Sequence, residues 1–175
     1  MRGGLHHLVA VARNVKILYN YCMSKFHGFP PVFDGNSRVL ILGSFPSVKS
    51  RQAEFYYGNK QNRFWATLSE AFEEQPVTTV DGKKRLCLNN GIALWDIVES
   101  CEIRGSMDAD ITHYTLVDLS LILDKCKREK ILCNGATAYK LTKSVYSGNI
   151  PVYKLSSTSP ANPRFNKDEW LYHLK

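Results

Sequence analysis

The sequence predicts an α/β fold built around a short parallel sheet. Four apolar runs have the length of buried strands: residues 38–43 (RVLILG), 92–97 (IALWDI), 130–134 (KILCN) and 151–155 (PVYKL). They lack the alternation of a half-exposed strand, which suits strands covered on both faces. Between them, apolar residues recur at spacings of three and four, the helical period. Strand–helix alternation of this kind marks a parallel sheet.

The helical segments follow in order. Residues 62–72 align Phe64, Trp65, Leu68, Ala71 and Phe72 on one face. Residues 115–126 do the same with Leu116, Leu119, Ile122 and Leu123, and residues 136–146 with Ala138, Leu141 and Val145. Residues 84–90 read as a shorter helix closed by Gly91. Residues 166–174 read as a terminal helix with Asn166 as its cap.

The chain has 175 residues, enough for one domain, and its 44% apolar content is that of a globular core. The longest runs free of Asp, Glu, Lys and Arg are ten residues, as in 39–48, about half of what a membrane-spanning helix needs. Residues 1–22 have too interrupted an apolar stretch for a signal peptide. They read as a dispensable extension or start-site artefact, because Met23 opens a natural-looking N-terminus, leaving 23–175 as the single domain. Cys22, Cys87, Cys101, Cys126 and Cys133 match no zinc or iron–sulfur spacing. Reduced thiols in a cytoplasmic protein are the expectation, with no cofactor and no metal cluster.

The net charge of +7 is unevenly spread. Residues 1–37 carry +3, 38–64 carry +4, 65–100 carry −3, 101–130 carry −1 and 131–175 carry +4. A fold that joins early and late loops would make one basic face, suited to a polyanion.

In parallel sheets the ligand crevice lies beyond the carboxyl ends of the strands, so the loops there carry the chemistry. After the first strand, Gly43, Ser44, Phe45, Pro46 and Ser47 form a sharp turn followed by Lys49 and Arg51; the spacing is not that of a P-loop. Phe55, Tyr56 and Tyr57 then precede an amide-rich stretch with Asn59, Gln61 and Asn62. Such aromatics either stack on bases or merely pin the loop to the core. After the second strand, Asp96 ends an apolar run, where a carboxylate needs a partner, a role or a local backbone group to cap. Asn134 and Gly135 read as a structural turn. After the fourth strand, Ser156, Ser157, Thr158, Ser159, Pro160, Ala161 and Asn162 make a rigid, donor-rich loop leading to Arg164 and Phe165. His6, His7, His27, His113 and His173 read as surface residues, and no glycosidase-type carboxylate pair or Gly-x-Ser-x-Gly elbow is present.

Three blocks in order resemble the hypoxanthine-DNA glycosylases, a branch of the uracil-DNA glycosylase superfamily. They are residues 43–47, the run from Tyr56 to Trp65, and residues 156–162, within a likeness extending from about Gly28 to Phe165. The resemblance implies a three-layer α/β/α sandwich with a short central, mostly parallel four-stranded sheet. It implies hydrolysis of the N-glycosidic bond of a deaminated base, hypoxanthine first, after the base is flipped out of DNA. Uracil or mismatch-specific excision is the alternative, and a non-enzymatic nucleic-acid-binding module is a second. Phe45 stands where relatives carry a catalytic Asp or Asn, and Ser157 to Pro160 where a His- or Asn-led block is usual. The catalytic part then falls to an amide, Asn62 first and Asn59 second; Lys60 stands where the pattern expects Pro. Gly43, Ser44, Phe45, Tyr57 and Asp96 are expected to bind the base, Tyr57 by stacking and Asp96 by reading its edge. Ser47, Lys49, Arg51, Ser157, Ser159, Pro160, Asn162 and Arg164 are expected to contact DNA. The expected partner is DNA containing deaminated bases, bound by a monomer with no membrane association.

Overall fold

The computed structural model describes residues 25–103 and 111–175. The expected extension over 1–22, and Arg104, Gly105 and Ser106 after the second strand, lie outside these described residues.

All four expected strands form one parallel sheet. They are β2 (Val39–Gly43), β3 (Ile92–Asp96), β6 (Lys130–Asn134) and β7 (Val152–Leu155), in the order β3-β2-β6-β7. The register runs from Val39 opposite Ile92 to Gly43 opposite Asp96, and from Val39 opposite Lys130 to Leu42 opposite Cys133. Every residue of β2 and β3 is buried, which explains their unbroken apolar sequence. Each fully buried Leu, Ile or Val contributes roughly 1.5–3 kcal/mol. The chain proceeds from β2 to β3 on one side and through β6 to β7 on the other. The switch point is therefore at β2 and β6, where parallel sheets open their crevice.

The helices cover this sheet. They are α1 (Val48–Gln52), α2 (Phe64–Ala71), α3 (Val80–Asn89), α4 (Ser120–Leu123), α5 (Ala136–Val145) and α6 (Lys167–Leu174). The single turn α1 was not expected; Ser47 caps it by accepting from Ser50 N at 3.2 Å. Thr79 starts α3 earlier than expected by accepting from Gly82 N at 3.1 Å, and Gly91 at φ 68° ends it. Asn166 caps α6 as expected, accepting from Glu169 N at 3.2 Å.

A second sheet, antiparallel and ordered β1-β4-β5, was not foreseen: β1 is Lys25–His27, β4 Val98–Ile103 and β5 Ile111–Leu116. It corrects the expectation of one helix over 115–126. Thr115 pairs with Ser100, their hydroxyls 2.7 Å apart, and Leu116 pairs with Val98. The backbone is thus committed to a ladder until Val117 N donates to Ile97 O at 3.0 Å. Only then does Asp118 accept from Ser120 N at 2.9 Å, and α4 makes one turn. Leu119, Ile122 and Leu123, the later part of the expected face, are buried nonetheless.

Among the described residues, no helix is long and apolar enough to cross a membrane. No group of three or more His, Cys, Asp or Glu side chains is placed to hold a metal ion there. Cys87, Cys101, Cys126 and Cys133 are free thiols.

Candidate active site

The last residues of all four parallel strands, Gly43, Asp96, Asn134 and Leu155, line one cleft of about 780 Å³. The strands deliver these positions because they end in step, and the loops that follow them build the walls.

The floor is Gly43 and Asp96. Asp96 is 4% exposed, and its Oδ1 lies so close over Gly43 that a Cβ there would come within 2.2 Å. Glycine at 43 thus makes room for the carboxylate. The same Cβ would meet Tyr57 Oη at 3.1 Å, so carboxylate and phenol share this floor.

Phe45 and Tyr57 line the cleft from two loops. Phe55 and Tyr56 are core residues at 6% and 2% exposure, tied in by ring contacts with Trp65 and Phe29. The aromatic run therefore divides: Phe55 pins the loop from the core, whereas Tyr56, buried with its hydroxyl donating to Phe29 O and Pro30 O, and Tyr57 both border the cleft. Tyr57 has φ at 50°, uncommon for a tyrosine, and stacks on Phe64 with centroids 4.0 Å apart. Its hydroxyl is buried, with no hydrogen bond of ordinary geometry among the described residues. Burial first, and the Asp96 carboxylate second, push the Tyr56 and Tyr57 phenols well above their ordinary range, so both stay protonated.

Asn62 lines the cleft; Asn59 does not. Asn59 Oδ1 accepts from Gln61 N at 3.1 Å and faces the exposed Lys49 Nζ at 3.5 Å. Asn62 Oδ1 accepts from Phe64 N at 3.0 Å. That donor fixes which end of the amide is oxygen, leaving Oδ1 one further lone pair and Nδ2 its two protons.

The final loop is bound on both sides. Asn134 donates Nδ2–H to Thr158 Oγ1 and accepts from Thr158 N, both at 2.9 Å. Gly135, at φ 101°, allows the chain to turn into α5, and a side chain there would press on Ser157 Cβ at 3.2 Å. Opposite, Arg63 donates Nε–H to Thr158 O at 3.3 Å and Nη2–H to Asn162 O at 2.9 Å and to Ser159 O. Asn162 Nδ2 donates to Ser157 O at 2.8 Å, closing the loop on itself.

Of the remaining expected site residues, Ser44, Ser47, Ser157, Ser159, Asn162 and Arg164 line the cleft, whereas Lys49, Arg51 and Pro160 do not. Arg51 donates to Pro46 O at 2.7 Å and lies 4.6 Å over the Phe26 ring, so its guanidinium braces the first loop. Sequence reasoning assigned no site role to Arg63, Asn134, Thr158 or Lys154. Lys154 lines the cleft, and its place as the penultimate residue of a strand was the available signal.

Four in-step parallel strands, a buried carboxylate floor, aromatic walls and a fixed amide define a site for a planar, hydrogen-bonding ligand. A family model described as the uracil DNA glycosylase superfamily matches residues 30–174, and the chain belongs to that superfamily, a family of DNA N-glycosylases. It is 34% identical over 148 residues to a protein named hypoxanthine DNA glycosylase from Methanosarcina acetivorans, covering 82% of this chain and 94% of the relative. A protein of the same name from Methanosarcina barkeri is 32% identical over 143 residues, with 80% and 90% covered. A solution NMR structure from Methanosarcina acetivorans, provisionally assigned as a uracil DNA glycosylase, superposes with a TM-score of 0.74. It is 32% identical and covers 86% of this chain and 99% of its own.

Proposed function

We propose that this chain is a monofunctional glycosylase that excises hypoxanthine from deoxyinosine in DNA and leaves an abasic site. The observation that carries the reading is the pairing of Asp96 and Asn62 on one cleft between Phe45 and Tyr57. The names of the two Methanosarcina relatives support the choice of base.

The deoxyinosine nucleotide rotates out of the duplex, and its flat base enters between the aromatic walls. Asp96, as an acceptor, takes the N1–H of hypoxanthine, while a backbone N–H from the Gly43–Ser44 turn takes O6. Adenine presents a lone pair at N1, which a carboxylate repels, so the undamaged base is rejected. As the N9–C1′ bond breaks, its electron pair leaves with the base and C1′ becomes oxocarbenium-like. A water bound to Asn62 Oδ1 attacks C1′ and loses a proton to solvent or to the departing base. An amide suffices because the electrophile is highly activated, so the work is positioning. Ser44, Ser47 and Ser159 hold flanking phosphates with Lys49 and Arg51 nearby, and residues 162–165 press toward the gap in the duplex. The catalytic domain is taken as residues 23–175, acting as a monomer in the cytoplasm.

Excision from duplexes containing inosine, uracil or xanthine, with alkali cleavage of the product, tests the reading. We expect inosine to be cut first and Asp96→Ala to lose that activity. Uracil cut in preference to inosine, or full inosine excision by Asp96→Ala, would sink the base assignment. Binding with no alkali-labile product would reduce the chain to a DNA-binding module.

A further inference from the structure

Arg63 sits beside Asn62 but does not itself line the cleft. Its side chain is half-buried and reaches across to the loop after β7, the other wall of the site. Three carbonyls of that loop, Thr158 O, Ser159 O and Asn162 O, accept from its guanidinium, and Thr158 O also accepts from its backbone N–H at 3.1 Å. The guanidinium lies 4.4 Å over the Phe165 ring, which covers it. No carboxylate pairs with it among the described residues, although Arg38, Arg128 and Lys167 do have acidic partners. A cation held by three neutral carbonyls keeps its charge, and the planar fork fixes the direction of each bond.

Resting on the glycosylase reading, we propose that Arg63 is a positioning residue that makes the two site loops one rigid body. It holds the Ser157–Asn162 segment, which takes the flanking phosphate, at a fixed distance from the Asn62 amide, which takes the water. The phosphate grip then sets where C1′ stands relative to that water. A lysine at 63 keeps the charge but is a single point that cannot span three diverging carbonyls. The defect should therefore fall on the reacting geometry and not on the attraction to DNA.

The test is single-turnover excision from an inosine duplex by wild type and Arg63→Lys across enzyme concentrations. We expect the rate at saturating enzyme to fall about tenfold or more, as a misplaced near-attack geometry gives, with half-saturation and affinity for undamaged duplex little changed. A saturated rate within about twofold of wild type, or a loss confined to half-saturation, overturns the proposal. Should Arg63→Lys not fold, the wild-type protein answers by NMR. The Arg63 Nε–H should exchange with water far more slowly than that of the exposed Arg164, and equal rates overturn the proposal. Absence of inosine excision by wild type would remove the function reading and this inference with it. An active wild type with a fully active Arg63→Lys removes this inference alone.

Discussion

Gly43 shows how much of the site turns on one missing methyl group. The Asp96 carboxylate occupies the space that a Cβ at 43 would take, at 2.2 Å from Oδ1, on a backbone paired in register with the strand that carries Asp96. Neither strand can retreat, so Gly43→Ala must displace the carboxylate. We expect it to cost about 1–3 kcal/mol by overpacking, read from urea midpoints, and to abolish inosine excision even where the protein remains folded. Unchanged activity would mean that the Asp96 carboxylate is not needed where it lies. At this scale the sequence was informative about residue type and silent about direction. Asn59 and Asn62 are equivalent in a string of amides. They separate only because the Asn59 side chain bonds back to Gln61 N and turns away, while Asn62 accepts from Phe64 N at the cleft. Tyr56 and Tyr57 likewise look alike until the left-handed backbone at Tyr57 sends the two rings to different places.

At the scale of elements, β6 links the core to the site. Its end residue Asn134 grips Thr158 through two hydrogen bonds, and Thr158 is fully buried. Thr158→Val keeps the shape but removes the hydrogen bond from the half-buried Asn134 Nδ2–H, a loss of about 0.5–1.5 kcal/mol. Urea unfolding should show that loss, and Asn134→Ala combined with it should cost less than the sum of the two single changes. Within the same strand, burial pushes the Cys133 thiol from 9.0 up to about 11. The folded state holds that proton more tightly than the unfolded chain. Its contribution to stability is therefore full below pH 9 and is lost as pH rises toward about 11. Unfolding midpoints should fall over that window, and less steeply in Cys133→Ala. β2 and β3 were legible because every residue in them is buried, and β6 because its centre is, whereas β7 at the sheet edge exposes Tyr153 and Lys154. The sheet of β1, β4 and β5 was not, because VESCEI and ITHYTL mix polar and apolar residues without a clean period. Their pairing depends on each other and on Lys25–His27 far away in sequence. Helical spacing through Leu116, Leu119 and Ile122 was a local pattern that the ladder to Ser100 and Val98 overrode.

For the whole molecule, the positive charge of residues 38–64 and 131–175 reaches the cleft through only part of its cations. Lys154 and Arg164 line it, and Arg63 joins its two walls. Affinity for duplex DNA should therefore fall steeply with salt, by a logarithmic slope near −0.9 per neutralised phosphate. Arg164→Gln should lower that slope by about one without changing base preference. The acidic stretch 65–100 includes α3 and β3, and its surface carboxylate Glu74 should have no such effect when changed to Gln. The most direct test of the account is single-turnover release of the base from a duplex with one deoxyinosine, run with wild type and Asn62→Ala beside a matched uracil duplex. Wild type should release hypoxanthine faster than uracil, and Asn62→Ala should bind the duplex normally but be slower by about 10² or more. Wild type active on uracil alone, or Asn62→Ala as fast as wild type, would contradict this expectation.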